Sequence, residues 1–295
     1  MNLFVPAFGF GLVTASILSL AAVGFTLQFG VTNVLNLAYG EVMTASAFLA
    51  YVANRNGANI WLAMVAAALA GGVMSVAINR GLYTPFIRKG TKLFGIVIVS
   101  LGLGLVIQNT VLAISGPNFF SYRVGRSRNF KVLNTHMNVQ QLAIIGIAAA
   151  AMLGVHLLLK YTRLGKAMRA TAADASLARA SGVPTPRVVD AAWFLSGMLC
   201  GVAGVTLFLN TVSFTAATSG DFLVVIIAAA VLGGVGQAYG AMLGALVIGL
   251  ATEMSAIWIN PSYKTAVAFI ALSLVLLARP QGILASPMLE REVQA

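Results

Sequence analysis

The sequence predicts an all-α polytopic membrane protein, a single transmembrane domain over residues 1–295. Hydrophobic residues make up 59% of the chain and charged residues 8%, too little charge to cover a soluble domain of 295 residues. Uncharged stretches at 1–40, 56–79, 93–122, 139–159, 191–220 and 222–252 mostly reach the length a helix needs to cross a bilayer core, about 20 residues. Strand-like alternation is missing and Ala, Leu and Gly dominate. Because spanning backbone must satisfy its own hydrogen bonds, the elements are helices rather than a closed barrel.

About eight hydrophobic elements follow, near 8–29, 37–54, 61–79, 93–114, 139–159, 191–212, 222–252 and 264–278. Residues 26–41, across the junction of the first two, hold Thr26, Gln28, Thr32, Asn33, Asn36 and Glu41, polar groups in an apolar setting. Asn disfavours helix interiors, so a broken or re-entrant segment is expected near 30–41. Polar groups at membrane depth pack against protein or line a water-filled path, and Asn33, Asn36 and Glu41 are the candidates for a translocation path or gate. Interhelical hydrogen bonding is the competing role for each.

The 31 residues of 222–252 would reach roughly 46 Å as one helix, too long for a straight span. Gly233-Gly234-Val235-Gly236-Gln237 interrupts them, which predicts a second broken or hairpinned segment near 233–240. Gly233, Gly234, Gly236 and Gly240 are read as hinge and packing positions, with GxxxG spacing at 236–240 and 240–244. Ala38-Tyr39-Gly40 and Ala238-Tyr239-Gly240 each open an apolar helix, and paired broken segments are a feature of internal-repeat transporters. Asp221 and Glu253 bracket this element and are expected at watery interfaces.

The net charge of +11 lies in loops between spans, so anionic lipid headgroups, not nucleic acid, are its expected partner. The lone Cys200 rules out an internal disulfide, and its spacing from His136 and His156 fits no metal cluster. MNLFVPAFGF has no basic stretch of the kind that opens a cleaved signal peptide. Segments 80–92 and 160–190 carry ten Lys and Arg against four in 115–138, which assigns the first two to the cytoplasm and 115–138 to an external loop. Either three spans precede residue 80 and the N-terminus is outside, or 30–53 re-enters.

Lys160–Asp190 is a polar island between apolar segments. Thr171-Ala172-Ala173-Asp174 has capping-box spacing, small helix formers including Ala178 follow, and Gly182, Pro184 and Pro186 forbid continuation. The expectation is a short capped helix over about 171–181, flanked by Arg169, Arg179 and Arg187, that docks on another protein. A plain connecting loop at the headgroups is the alternative.

Thr162-Arg-Leu-Gly-Lys-Ala-Met-Arg-Ala-Thr171, with Ala173-Asp174, Ala178, Gly182-Val183 and Arg187, resembles the cytoplasmic loop of ABC-importer permeases for branched-chain amino acids, a family that includes urea and short-amide permeases. Asn36-Leu-Ala-Tyr-Gly-Glu41 is similar to its Asn-hydrophobic-Ala-His-Gly-Glu segment, with Tyr39 in place of His. Leu232-Gly-Gly-Val-Gly-Gln-Ala-Tyr-Gly240 and Arg279-Pro-Gln-Gly282 are similar to its late motifs. The resemblance implies that Arg169, Thr171, Ala172, Ala173, Asp174, Ala178 and Gly182 couple to an ATPase. It also implies a second permease subunit, identical or homologous, two ABC ATPase subunits, an extracytoplasmic solute-binding protein, and a bacterial or archaeal plasma membrane.

The chain lacks GxxxxGK[ST], so the ATPase is expected to be a separate chain, with ATP on that partner subunit and no cofactor expected in this one. Seven scattered acidic residues and two isolated His give no catalytic constellation, which disfavours an enzyme. An ion-coupled carrier or channel for a small solute is the alternative, with Glu41 as its one credible intramembrane charge.

Overall fold

The computed structural model describes residues 4–124, 129–132, 135–278 and 282–284. Arg126, Arg128 and the Arg279–Gln281 part of the C-terminal motif lie outside the described residues. The helices run α1 (Phe4–Thr32), α2 (Tyr39–Arg55), α3 (Ile60–Ile78), α4 (Thr84–Arg88) and α5 (Leu93–Ser115). A hairpin, β1 (Asn129–Val132) antiparallel to β2 (Thr135–Asn138), leads to α6 (Val139–Tyr161), α7 (Arg163–Ala173) and α8 (Ala175–Ala180). The chain ends with α9 (Thr185–Thr211), α10 (Thr218–Gly233), α11 (Ala238–Ser255) and α12 (Lys264–Ala278).

Among the described residues six helical stretches are long and apolar enough to cross a membrane, and Thr218–Gly233 and Lys264–Leu277 are shorter apolar helices. The count of eight elements is therefore loose: the seventh divides into α10 and α11, and α2 is a short, more polar helix. The third runs past its expected end at 79. Asn79–Tyr83 form a π-turn that joins α3 to α4, so one helical stretch, Ile60–Arg88, continues into the basic segment.

One end of the molecule gathers the basic segments. The Arg80 guanidinium donates to Asp190 Oδ2 at 2.7 Å, which ties 80–92 to the 160–190 island. The end of α1 is here too, because Val31 and Thr32 line the same cavity as Arg80 and Thr171. At the opposite end Phe4 packs edge-on against Trp258, and Glu253 accepts from Thr14 and pairs with Lys264 at 2.7 Å. Phe120 and Phe214 exchange backbone hydrogen bonds there, and Phe208 stacks on Phe214 with centroids 4.0 Å apart.

α1 thus runs to the basic end, and residues 33–38 climb back into the interior. There the Tyr39 hydroxyl donates to the Ala21 carbonyl near the middle of α1, and Cys200 donates to the Tyr39 carbonyl from the middle of α9. α2 continues to the opposite end, where Asn54 accepts from the Arg123 amide at 2.8 Å. Three passes through the molecule thus precede residue 80, and the second is half unwound, its helical part being α2.

The same path recurs upside down. α9 leaves the basic end, an unwound stretch at 212–217 turns inward, and α10 runs back to the basic end. Among the described residues Asn33 (φ 52°) and Val212 (φ 64°) are the non-glycine positions with positive φ, one at the end of each long helix. Partners are exchanged in the same way. α1 packs on α11 while α9 packs on α3, and α2 touches α5 while α10 touches α12. Paired half-helices of opposite direction are the mark of an inverted internal repeat. The partner of Ala38-Tyr39-Gly40 is therefore Ala217–Ser219 at the start of α10, not Ala238-Tyr239-Gly240, which opens α11. The shared tripeptide misidentified the repeat because identity over three residues carries less information than the course of the backbone.

Candidate functional site

The two half-helices meet at their first turns inside the molecule. A Cβ on Gly40 would lie 2.8 Å from the Ser219 carbonyl, and one on Gly220 would lie 2.5 Å from Glu41 Oε1. Glycine at both positions lets α2 and α10 cross in contact. Each helix carries a carboxylate in its first turn, Glu41 on α2 and Asp221 on α10, where the positive end of the helix dipole favours an anion. Glu41 is 8% exposed, and its Oε2 has no hydrogen-bond partner in the structure. Ser219 Oγ is fully buried and likewise unpartnered. Asp221 is exposed on the surface of the single chain.

The three polar residues singled out in 33–41 do not converge. Asn33 is exposed at the basic end, where its left-handed backbone terminates α1. Asn36 is buried, and its Oδ1 accepts from the Ala38 amide at 3.1 Å and the Tyr83 hydroxyl at 2.8 Å. Those bonds hold the unwound stretch in shape and leave Asn36 in the wall. Glu41 alone reaches the crossing. Asp221 and Ser219 were missed because their relation to Glu41 is tertiary; the signal available was an acidic residue directly after a glycine in the first helical turn, Gly40-Glu41 and Gly220-Asp221.

At the basic end the island holds two short helices instead of one. Thr162 caps α7, accepting from the Gly165 amide at 3.0 Å. Thr171 does not cap: it is buried inside α7, and its hydroxyl bonds back to the Ala167 carbonyl. The break comes at Asp174, whose Oδ1 accepts from the Ser176 and Leu177 amides at 2.8 and 2.9 Å and caps α8. A threonine within an established helix satisfies its hydroxyl on the preceding turn, so the cap falls to the residue with extended φ. The Ser176 hydroxyl and the same two amides hold the Asp174 carboxyl below the ordinary aspartate range. Gly182 has φ 84° and ends the segment, and Pro186 lies in the first turn of α9.

Arg169, Ala172, Ala173 and Asp174 are exposed, whereas Ala178 is 6% exposed and faces the chain itself. The outward apolar side chain of α8 is Leu177, 64% exposed. Behind α8 lies a cavity of about 600 Å³ lined by Thr32, Arg80, Arg88, Arg179 and Asp190, among others.

The glycines after α10 sit in close packing. A Cβ on Gly233 would overlap the Gly240 backbone, one on Gly240 would overlap Gly233, and one on Gly244 would overlap the Ala229 carbonyl. Gly234 (φ 105°) and Gly236 (φ 88°) make the turn between α10 and α11.

A helical membrane domain with inverted half-helices meeting at its centre, and a capped polar loop at its basic end, defines a transport permease. Residues 7–276 match the family described as the branched-chain amino acid transport system permease component. The chain is 31% identical to the high-affinity branched-chain amino acid transport system permease protein LivH of Escherichia coli K12, over 95% of each chain. It is 32% identical to the corresponding protein BraD of Pseudomonas aeruginosa, again over 95% of each. A probable branched-chain amino acid permease of Methanocaldococcus jannaschii is 26% identical over 92% of this chain and 90% of its own. No solved structure matches. The chain belongs to the branched-chain amino acid transport permease family, and it is a multi-pass protein of the plasma membrane.

Proposed function

We propose that this chain is the membrane subunit of an ATP-driven importer of branched-chain amino acids, working beside a second permease subunit, two separate ATPase chains and an extracytoplasmic binding protein. The observation that carries the coupling part is the exposed α7–α8 pair at the basic end, braced on α9 through Arg179, whose Nε donates to Thr185 Oγ1. A linker needs neither two caps nor an outward leucine. On this reading the basic end is cytoplasmic, α7–α8 sits in an ATPase groove through Arg169, Ala173, Asp174 and Leu177, and Thr171, Ala178 and Gly182 shape the loop from within. Movement of α7–α8 reaches the core through α9 and the cavity behind it.

The segment 33–41 lines or gates the path, with Glu41 in the path and Asn33 and Asn36 fixing its shape. Membrane vesicles holding the permease, its genomic neighbours and leucine supply the test. ATP-dependent uptake blocked by vanadate and indifferent to an uncoupler is expected, as is copurification with an ATPase. Uptake abolished by the uncoupler and indifferent to vanadate would mean an ion-coupled carrier instead.

A further inference from the structure

We propose that Glu41, Asp221 and Ser219 form the recognition point for the protonated amine of the transported solute, an ammonium group passing between the first turns of α2 and α10. This rests on the importer reading above and adds the chemistry of the path's narrow point. Asp221 was expected merely to touch water at a span end. The crossing of the half-helices instead brings the Glu41 carboxylate against Gly220, the residue that precedes Asp221 in the chain. Acidic residues thus stand in the first turns of both half-helices at one crossing, Glu41 buried and Asp221 exposed, and like charges so placed repel unless a cation or a proton offsets them.

Independent of that cluster, Glu41 Oε2 and Ser219 Oγ are both buried and both unpartnered. An uncompensated acceptor in such a place costs on the order of a few kcal/mol. Neither atom belongs to a helix cap or a side-chain network, so packing does not account for them. An ammonium group has three donors and no acceptor, and the two carboxylates and the serine hydroxyl offer it acceptors. The approach from the end opposite the basic one is also built. A cavity of about 330 Å³ between Gln108 and Asn109 of α5 and Thr215–Ala217 reaches Ala217, the residue before α10.

The experiment uses the assembled complex in a Cys200→Ser background, with Ala217→Cys beside the site as the reporter and two thiol reagents of similar size, one cationic and one uncharged. Focusing by Glu41 should make the cationic reagent react about tenfold faster than the neutral one. Glu41→Gln should bring that ratio close to one. Leucine should protect the thiol of Ala217→Cys, whereas the keto acid with the same side chain and no amine should not. In parallel, Asp221→Asn should lower leucine uptake at least about tenfold, converted from roughly 1.4 kcal/mol of lost interaction.

A ratio unchanged by Glu41→Gln, no protection by leucine, equal protection by the keto acid, or an unreactive thiol at 217 overturns the assignment, as does protection by sodium ions in place of leucine. Should Glu41→Gln fail to accumulate, the protection arm and Asp221→Asn decide alone. Loss of ATP-driven leucine uptake in the unmodified complex would refute the importer reading; a changed ratio with no transport would leave a cation site on a protein of another function.

Discussion

The Tyr83 hydroxyl donates to Asn36 Oδ1 at 2.8 Å, so the π-turn in the third crossing holds the unwound half of the second. A π-turn adds one residue to a helical circuit and re-aims the side chains that follow it. Here it brings Tyr83, fully buried, under the break at 33–38, against Trp193 of α9.

That bond gives the first prediction. Tyr83→Phe should destabilise the permease by about 1 kcal/mol, the worth of one ordinary buried hydrogen bond. Asn36→Ala should cost more, about 1–3 kcal/mol, because it strands the Ala38 amide and the Tyr83 hydroxyl together. Thermal unfolding in detergent ranks the two; the reverse order would mean Asn36 is not what shapes the segment.

On the coupling surface the informative residue is Leu177, not Ala178. Leu177→Asp should leave insertion and monodispersity intact while weakening ATPase copurification and uptake. Ala178→Trp should lower the amount of folded protein, since that methyl faces the chain. Normal uptake in the Leu177 variant would remove α8 from the interface.

The Asp174 cap has a pH signature. Its carboxyl is held below the usual aspartate pKa in the folded chain by the Ser176 and Leu177 bonds. A depressed pKa contributes stability above the unfolded value, about 3.9, that is lost as pH falls through the folded one. Amide exchange at Ser176 and Leu177 should therefore keep the same protection from about pH 8 to pH 5, after correction for intrinsic rates, and lose it only in stronger acid. Asp174→Ala should remove that protection at every pH.

Glycine positions separate into two groups. Gly240→Leu should reduce folded protein severely, because the Gly233 backbone occupies the space a side chain needs. Gly146→Leu on α6, where a Cβ meets nothing within 4 Å, should insert normally. Equal yields from both, measured by fluorescence-detected size exclusion, would contradict the close α10–α11 crossing.

Sequence by itself determined the class, the family and most of the crossings. A bilayer demands long uncharged runs and concentrates basic residues on one side, and both leave marks readable residue by residue. It also located the break at 33–38 and the turn between α10 and α11, because Asn and Gly oppose helix locally, but not the unwound stretch at 212–217, where neither residue occurs. What only the tertiary structure decided was which polar groups meet. Asn33, Asn36 and Glu41 are near neighbours in sequence, yet the first ends a helix, the second braces a wall and only the third faces another half-helix. Glu41 meets Ser219, Gly220 and Asp221 because the chain repeats its path upside down. That symmetry resides mainly in backbone course, and the glycine–acid pairs Gly40-Glu41 and Gly220-Asp221 are a faint trace of it in the sequence. The cap at Asp174 was displaced from Thr171 for a related reason: spacing permits several caps, and the choice belongs to whichever backbone is free to leave the helix.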